Sequence, residues 1–106
     1  MTYAAIIDVA APIGIYDTFH AETIRRGQGR REGLLVHLAR STHTGFQILE
    51  VWTSQELCQR YVQEIIIPAR TVIIGSAPGQ ADSLPPEHME EFYPRGLVIP
   101  SAQLIL

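Results

Sequence analysis

Lysine and asparagine are missing from this chain of 106 residues, and cysteine and tryptophan occur once each. Without lysine there is no amine for Schiff-base chemistry, and without asparagine that side-chain amide is not available to hold an oxyanion. The lone Cys58 cannot close an internal disulfide, and one cysteine does not make a structural zinc site. Charge is sparse at 18% of residues, with eight basic groups, all arginine, against eleven acidic ones for a net charge of −3. That balance lacks the basic excess that phosphate backbones select, so nucleic acid is not an expected partner. No apolar run approaches the roughly 20 residues of a membrane-spanning helix, so no membrane partner is expected. The first residues show neither the basic start nor the long apolar core of a signal peptide, and a cytoplasmic location is the expectation.

Apolar residues, in contrast, make up 46% of the chain. A chain this short forms a single domain, here 1–106, and buries roughly 65% of its unfolded surface. The apolar excess implies surface that a second copy or an organic ligand can cover.

Residues 3–9, Tyr-Ala-Ala-Ile-Ile-Asp-Val, form a β-branched strand signal that ends before Pro12. Ile15, Tyr16, Phe19 and Thr23 then mark one face of a helix stopped by Gly27 and Gly29, with a polar loop over 28–33. Residues 33–40 and 46–53 read as a hairpin around the turn 41–45. Strict alternation puts Leu34, Val36 and Leu38 on one face of the first strand and Leu35, His37 and Ala39 on the other. On the second strand it groups Phe46, Ile48, Glu50 and Trp52. Both faces are largely apolar and so both call for cover. The spacing Thr53 to Glu56 predicts a capping box, followed by a helical stripe at Leu57, Cys58, Tyr61, Val62, Ile65 and Ile66. Pro68 should kink or end that helix, leaving a short turn over 69–74 closed by Gly75. Residues 76–88, rich in proline, predict a long loop, a candidate lid. A last strand over 90–94 and 96–99, interrupted at Pro94, leads to an apolar C-terminal tail within 89–106 that should be tucked against the domain.

Strand–helix–strand–strand–helix–strand is the order of the ferredoxin-like α+β fold, βαββαβ, an antiparallel sheet with two helices on one face. The second, apolar face of such a sheet predicts a homodimer. The passages Gly33-Leu-Leu-Val-His37, Gly45-Phe-Gln-Ile-Leu-Glu-Val-Trp52-Thr-Ser54 and Ile-Pro68-Ala, within residues 1–75, resemble the small dimeric α/β-barrel proteins related to the antibiotic-biosynthesis monooxygenases. That resemblance implies a ferredoxin-like domain assembled as a dimeric α/β barrel. It also implies an activity among the cofactor-free oxygenases, haem-degrading enzymes, isomerases and cyclases of that superfamily, or none.

His37 is the first candidate catalytic group, because a titratable ring in an apolar strand needs a partner. The resemblance places a histidine of this strand near the cavity; the structural alternative is a core ring satisfied by a carbonyl or by Glu50. Trp52 and Tyr61 are further catalytic candidates that can wall an aromatic ligand or simply fill the core. Tyr16, Phe19 and His20 on the first helix, with Glu22 behind, supply a candidate opposite wall for substrate. Glu50 is either a general base or substrate-binding group, or an ion pair to Arg40 across the hairpin. His20, His37, His43, His88 and Cys58 show no metal-ligand spacing, and no phosphate-binding glycine motif or serine elbow is present. No metal, flavin, nicotinamide or nucleotide cofactor is expected.

The oxygenases that the chain resembles use an amide and aromatic donors to hold the substrate oxyanion, a role left here to Gln47, Gln59 or Gln63. The expected activity is a cofactor-independent monooxygenation of small apolar or aromatic, polyketide-like phenols, with His37 as base and Trp52 and Tyr61 positioning the ring. A cyclase or isomerase using the same histidine, and a non-catalytic ligand-binding or assembly dimer, are the alternatives.

Overall fold

Tyr3–Val9 extends as strand β1 over the whole predicted run, because its β-branched and small residues fit between two neighbours at the centre of a sheet. The computed structural model describes residues 1–27, 32–75 and 87–105. Helix α1 follows at Ile13–Gly27, then β2 at Leu34–Ser41, β3 at Phe46–Trp52 and helix α2 at Gln55–Tyr61. A π-helical turn at Val62–Ile66 leads into α3 at Ile67–Gly75, and β4 spans Glu87–Phe92. The sheet is antiparallel throughout with strand order β2-β3-β1-β4, and this arrangement of strands and helices is the ferredoxin-like α+β fold.

Register decides which side chains meet the helices. Tyr3, Ala5, Ile7 and Val9 stand opposite Trp52, Glu50, Ile48 and Phe46, so these eight share one face. His37 pairs with Glu50 and joins them. Strict alternation fails at the start of β2, where an irregularity between Leu34 and Val36 sets Leu34 opposite Trp52 while Val36 stands opposite Val51. The extra residue turns Leu34 to the same face as His37, not to that of Val36 and Leu38. Gly33 precedes this bulge with φ +86°, and a Cβ there would lie 2.6 Å from the Leu57 side chain. At the other end of the hairpin, a Cβ on Gly45 would sit 2.0 Å from the Val9 carbonyl oxygen, so only glycine lets the turn close on β1.

The second helical segment departs from expectation at both ends. Its N-cap is Ser54, not Thr53: the Ser54 hydroxyl accepts from the Leu57 N–H at 3.2 Å. Pro68 neither ends the helix nor reduces residues 69–74 to a turn. The Ile67 N–H donates to the Val62 carbonyl five residues back, and this widened turn makes room for the proline ring at the start of nine further helical residues.

The last strand of the sheet begins three residues earlier than expected, so Glu87 and His88 belong to β4; the rest of the predicted loop lies outside the described residues. Every residue of β4 is exposed, and three of its six are glutamate, as suits a sheet edge. Beyond it, Val98–Ile99 (β5) and Leu104–Ile105 (β6) form a separate two-stranded hairpin around a 3₁₀ turn at Pro100–Ala102. The tail is not tucked away: Val98 is 59% and Ile105 76% exposed.

Candidate active site

Between sheet and helices the interior divides in two. Near the ends of β1 and β3 that carry Tyr3 and Trp52, these two residues pack with Ala5 and Cys58, and Leu34, Leu57, Tyr61 and Val62 close around them. Toward Val9 and Phe46, where a smaller buried cluster with Ala11 takes Ile13 and Tyr16 of α1 against it, sheet and helices also leave a cavity of about 220 Å³. Its floor is Ile7, Val9, Phe46 and Ile48, with Leu34, His37 and Glu50 at the side toward Trp52. Ile15, Tyr16, Phe19, His20 and Thr23 of α1 form one wall; Tyr61, Val62, Ile66 and Arg70 form the other, and Glu87 contributes from the sheet edge.

One chain of polar contacts crosses this largely apolar space. His37 Nδ1 lies 2.7 Å from Glu50 Oε2, and its Nε2 lies 2.7 Å from the Tyr16 hydroxyl. The Trp52 indole N–H donates to the other Glu50 oxygen at 3.3 Å, and Tyr16 also meets His20 Nδ1 at 3.2 Å. Direction follows from what each group can do. The carboxylate of Glu50 only accepts, so Nδ1 of His37 donates to it; in the neutral imidazole Nε2 then accepts from the Tyr16 hydroxyl, and the Tyr16 oxygen is left to accept from His20. The three rings stack, with His20 and His37 5.4 Å apart at 13° and Tyr16 5.2 Å from His20 at 18°. Burial, and next the negative charge of Glu50, push the Tyr16 phenol above its ordinary range, so it stays protonated at neutral pH.

The structure thus brings together six of the seven candidates from the sequence, His37, Tyr61, Tyr16, Phe19, His20 and Glu50, around one cavity. Trp52 is placed elsewhere: it is fully buried, does not line the cavity, stands behind Glu50 and packs on Tyr61 with ring centres 5.3 Å apart. Glu22 is also off the cavity, ion-paired with Arg25 and Arg26. Glu50 does not pair with Arg40, which sits on the opposite sheet face and donates to Gln47 at 3.0 Å. Gln47 in turn donates to Asp8 at 3.0 Å, and Gln59 and Gln63 are exposed, so none of the three amides lines the cavity.

Leu34, Thr23, Ile66, Arg70 and Glu87 line the cavity although sequence reasoning did not select them. Val62, Ile66 and Arg70 fall one helical turn apart, a stripe visible in the sequence but cut short by the stop expected at Pro68. Among the described residues no three His, Cys, Asp or Glu side chains are grouped to hold a metal, and no helix is long and apolar enough to cross a membrane.

No protein-family model and no curated protein matches this sequence. Solved structures do. SnoaB, a cofactor-independent oxygenase from Streptomyces nogalater, is similar with a TM-score of 0.58 and 16% identity over 93% of this chain and 95% of that one. A provisionally named antibiotic biosynthesis monooxygenase from Chloroflexus aurantiacus gives 0.59 and 20% over 92% and 97%. A protein of unknown function from Nitrosomonas europaea gives 0.62 and 13% over 93% and 94%. With its strand order, helices and near-complete coverage, the chain has the ferredoxin-like fold of the antibiotic biosynthesis monooxygenase-like proteins.

Proposed function

We propose that this protein is a cofactor-independent monooxygenase of aromatic, polyketide-like phenols. The observation that carries the reading is the Glu50–His37–Tyr16 chain ending in an apolar cavity. Glu50 holds His37 with Nε2 toward the cavity and stabilises the imidazolium that forms when His37 takes a proton. Because Tyr16 covers Nε2, the proton travels in two linked transfers, from the substrate hydroxyl to the Tyr16 oxygen and from the Tyr16 hydroxyl to His37. Trp52 acts through Glu50, donating to its second oxygen, and Tyr61 bounds the ring's position from the helix side.

The electron-rich phenolate left behind reduces dioxygen itself, forming a carbon–oxygen bond and, with the proton returned from His37, a hydroperoxide. Loss of water from that hydroperoxide yields the quinone. One dioxygen is consumed, one oxygen atom enters the product and the other leaves as water, with the electrons supplied by the substrate. Apolar walls suit this chemistry by keeping bulk water from the carbanion.

The test is oxygen uptake and quinone absorbance with a panel of hydroxynaphthalenes and hydroxyanthrones. Turnover should fall about 10²- to 10⁴-fold in His37→Ala at unchanged far-UV circular dichroism. Unchanged turnover in that variant would remove His37 from the chemistry. A product formed equally well under nitrogen would exclude oxygenation and leave a cyclase or isomerase.

We also propose that the active form is a homodimer. On the outer face of the sheet Leu38 is 48% and Phe92 38% exposed, beside half-buried Ile6 and Leu49, an apolar surface that a second copy would cover. Native mass spectrometry should show twice 11.8 kDa, and a clean monomer would sink this part of the reading.

A further inference from the structure

Among the described residues Arg70 is the one guanidinium on the cavity wall, and it is half-buried there. Among the described residues it makes no ion pair and no hydrogen bond. The acidic groups that share the wall leave it so: Glu50 is taken by His37 and Trp52, and Glu87, on the exposed edge strand, does not pair with it. The polar chain of Tyr16, His20 and His37 is anchored to α1 and the sheet, whereas Arg70 projects from α3 on the opposing wall.

An apolar ring that fills the cavity displaces the water that solvates this guanidinium. Five N–H donors and a full charge would then lose hydration with nothing in exchange, a cost that a purely apolar ligand cannot offset. A carboxylate on the ligand removes the cost, since its two oxygens match the guanidinium fork with paired charge-assisted hydrogen bonds. We propose that Arg70 is a specificity-determining residue that selects an aromatic acid, a phenol whose ring carries a carboxylate at the end away from its reacting hydroxyl. This rests on the cavity reading above and names its substrate class: the hydroxyl meets Tyr16 and His37, the ring lies on Ile7 and Ile48, and the carboxylate meets Arg70.

The test compares three probes by isothermal titration calorimetry at neutral pH: 6-hydroxy-2-naphthoate, its methyl ester and 2-naphthol. They share the ring and the hydroxyl, and only the first has a charge for Arg70. The acid should bind about 10- to 100-fold more tightly than the other two, the range of one or two hydrogen bonds to a charged group. In Arg70→Gln the acid's affinity should drop to that of 2-naphthol in the same variant, while 2-naphthol itself binds no more weakly than to the unaltered protein, since the charge it desolvates is gone. The methyl ester makes the same comparison in the unaltered protein. Equal binding of acid, ester and 2-naphthol, or a preference for the acid that survives Arg70→Gln, overturns the assignment of Arg70 and leaves the cavity reading standing. Failure of all three to bind overturns both.

Discussion

Two ends of one layer differ in how they are filled. At the end holding Tyr3 and Trp52, an indole, two leucines and a buried thiol close the space between sheet and helices. At the end holding Val9 and Phe46 the same two layers leave about 220 Å³ open, although the floor residues are no smaller or more polar than an ordinary core. The boundary between the ends is Glu50, which takes a hydrogen bond from Trp52 on the packed side and one from His37 on the open side. A packed core here serves as the mould for the cavity beside it: the end that cannot yield fixes the carboxylate, and the carboxylate fixes the His37 ring.

Substitution should expose that difference. Trp52→Ala removes the largest fully buried side chain and deprives Glu50 of a donor, and should cost about 3–5 kcal/mol in urea unfolding. Ile48→Ala, on a floor that already borders empty space, should cost about 2 kcal/mol, the low end for such a truncation. If the two costs are equal, the contrast between a filled and an open end is wrong.

Alkaline titration gives a smaller effect. Burial, reinforced by the hydrogen bond to Glu91, raises the Tyr3 phenol well above its ordinary value, and burial raises Tyr16 as well. A phenol that holds its proton more tightly when folded adds stability that is complete below about pH 10 and is lost as pH rises through the folded-state value. Urea midpoints should therefore fall above about pH 10, and Tyr3→Phe should flatten that fall more than Tyr16→Phe. A reversed order would mean that the cavity end, not the packed end, holds its phenol more tightly.

Cys58 belongs to the packed end, and burial pushes its thiol up to about 11. Its reaction with Ellman's reagent at about pH 8 should be slow in the native protein and become fast on unfolding. Rapid native reaction would show that this end opens to solvent as readily as the cavity.

The sequence carried most of this arrangement. β1, α1 and β3 are legible because composition and punctuation agree there: β-branched runs closed by proline or glycine, and a clean helical stripe from Tyr16 to Thr23. The pairing of His37 with Glu50 stood among the alternatives that the sequence left open, beside a backbone carbonyl for His37 and Arg40 for Glu50, and the register of the hairpin decides it. The features that escaped depend on register and on neighbours. The bulge at Leu34 and Leu35 leaves only a weak trace, two adjacent leucines where alternation would set one, so its effect on Leu34 emerges only once β2 and β3 are paired. The start of β4, Glu87 and His88, reads as the end of the proline-rich loop because an exposed edge strand carries the glutamates that sheet propensity disfavours. Arg70 was hidden by Pro68, whose usual meaning is a helix stop; the widened turn before it cancels that meaning and carries the stripe one turn further.

Trp52 is the chain's only tryptophan, and its N–H rests on the carboxylate that orients His37. The molecule therefore contains its own optical reporter beside the cavity's polar chain. Emission excited at the red edge of the protein band should come from a single dry indole, lie toward the blue and resist quenching by acrylamide, and any event that moves or neutralises Glu50 should change it without a label being attached.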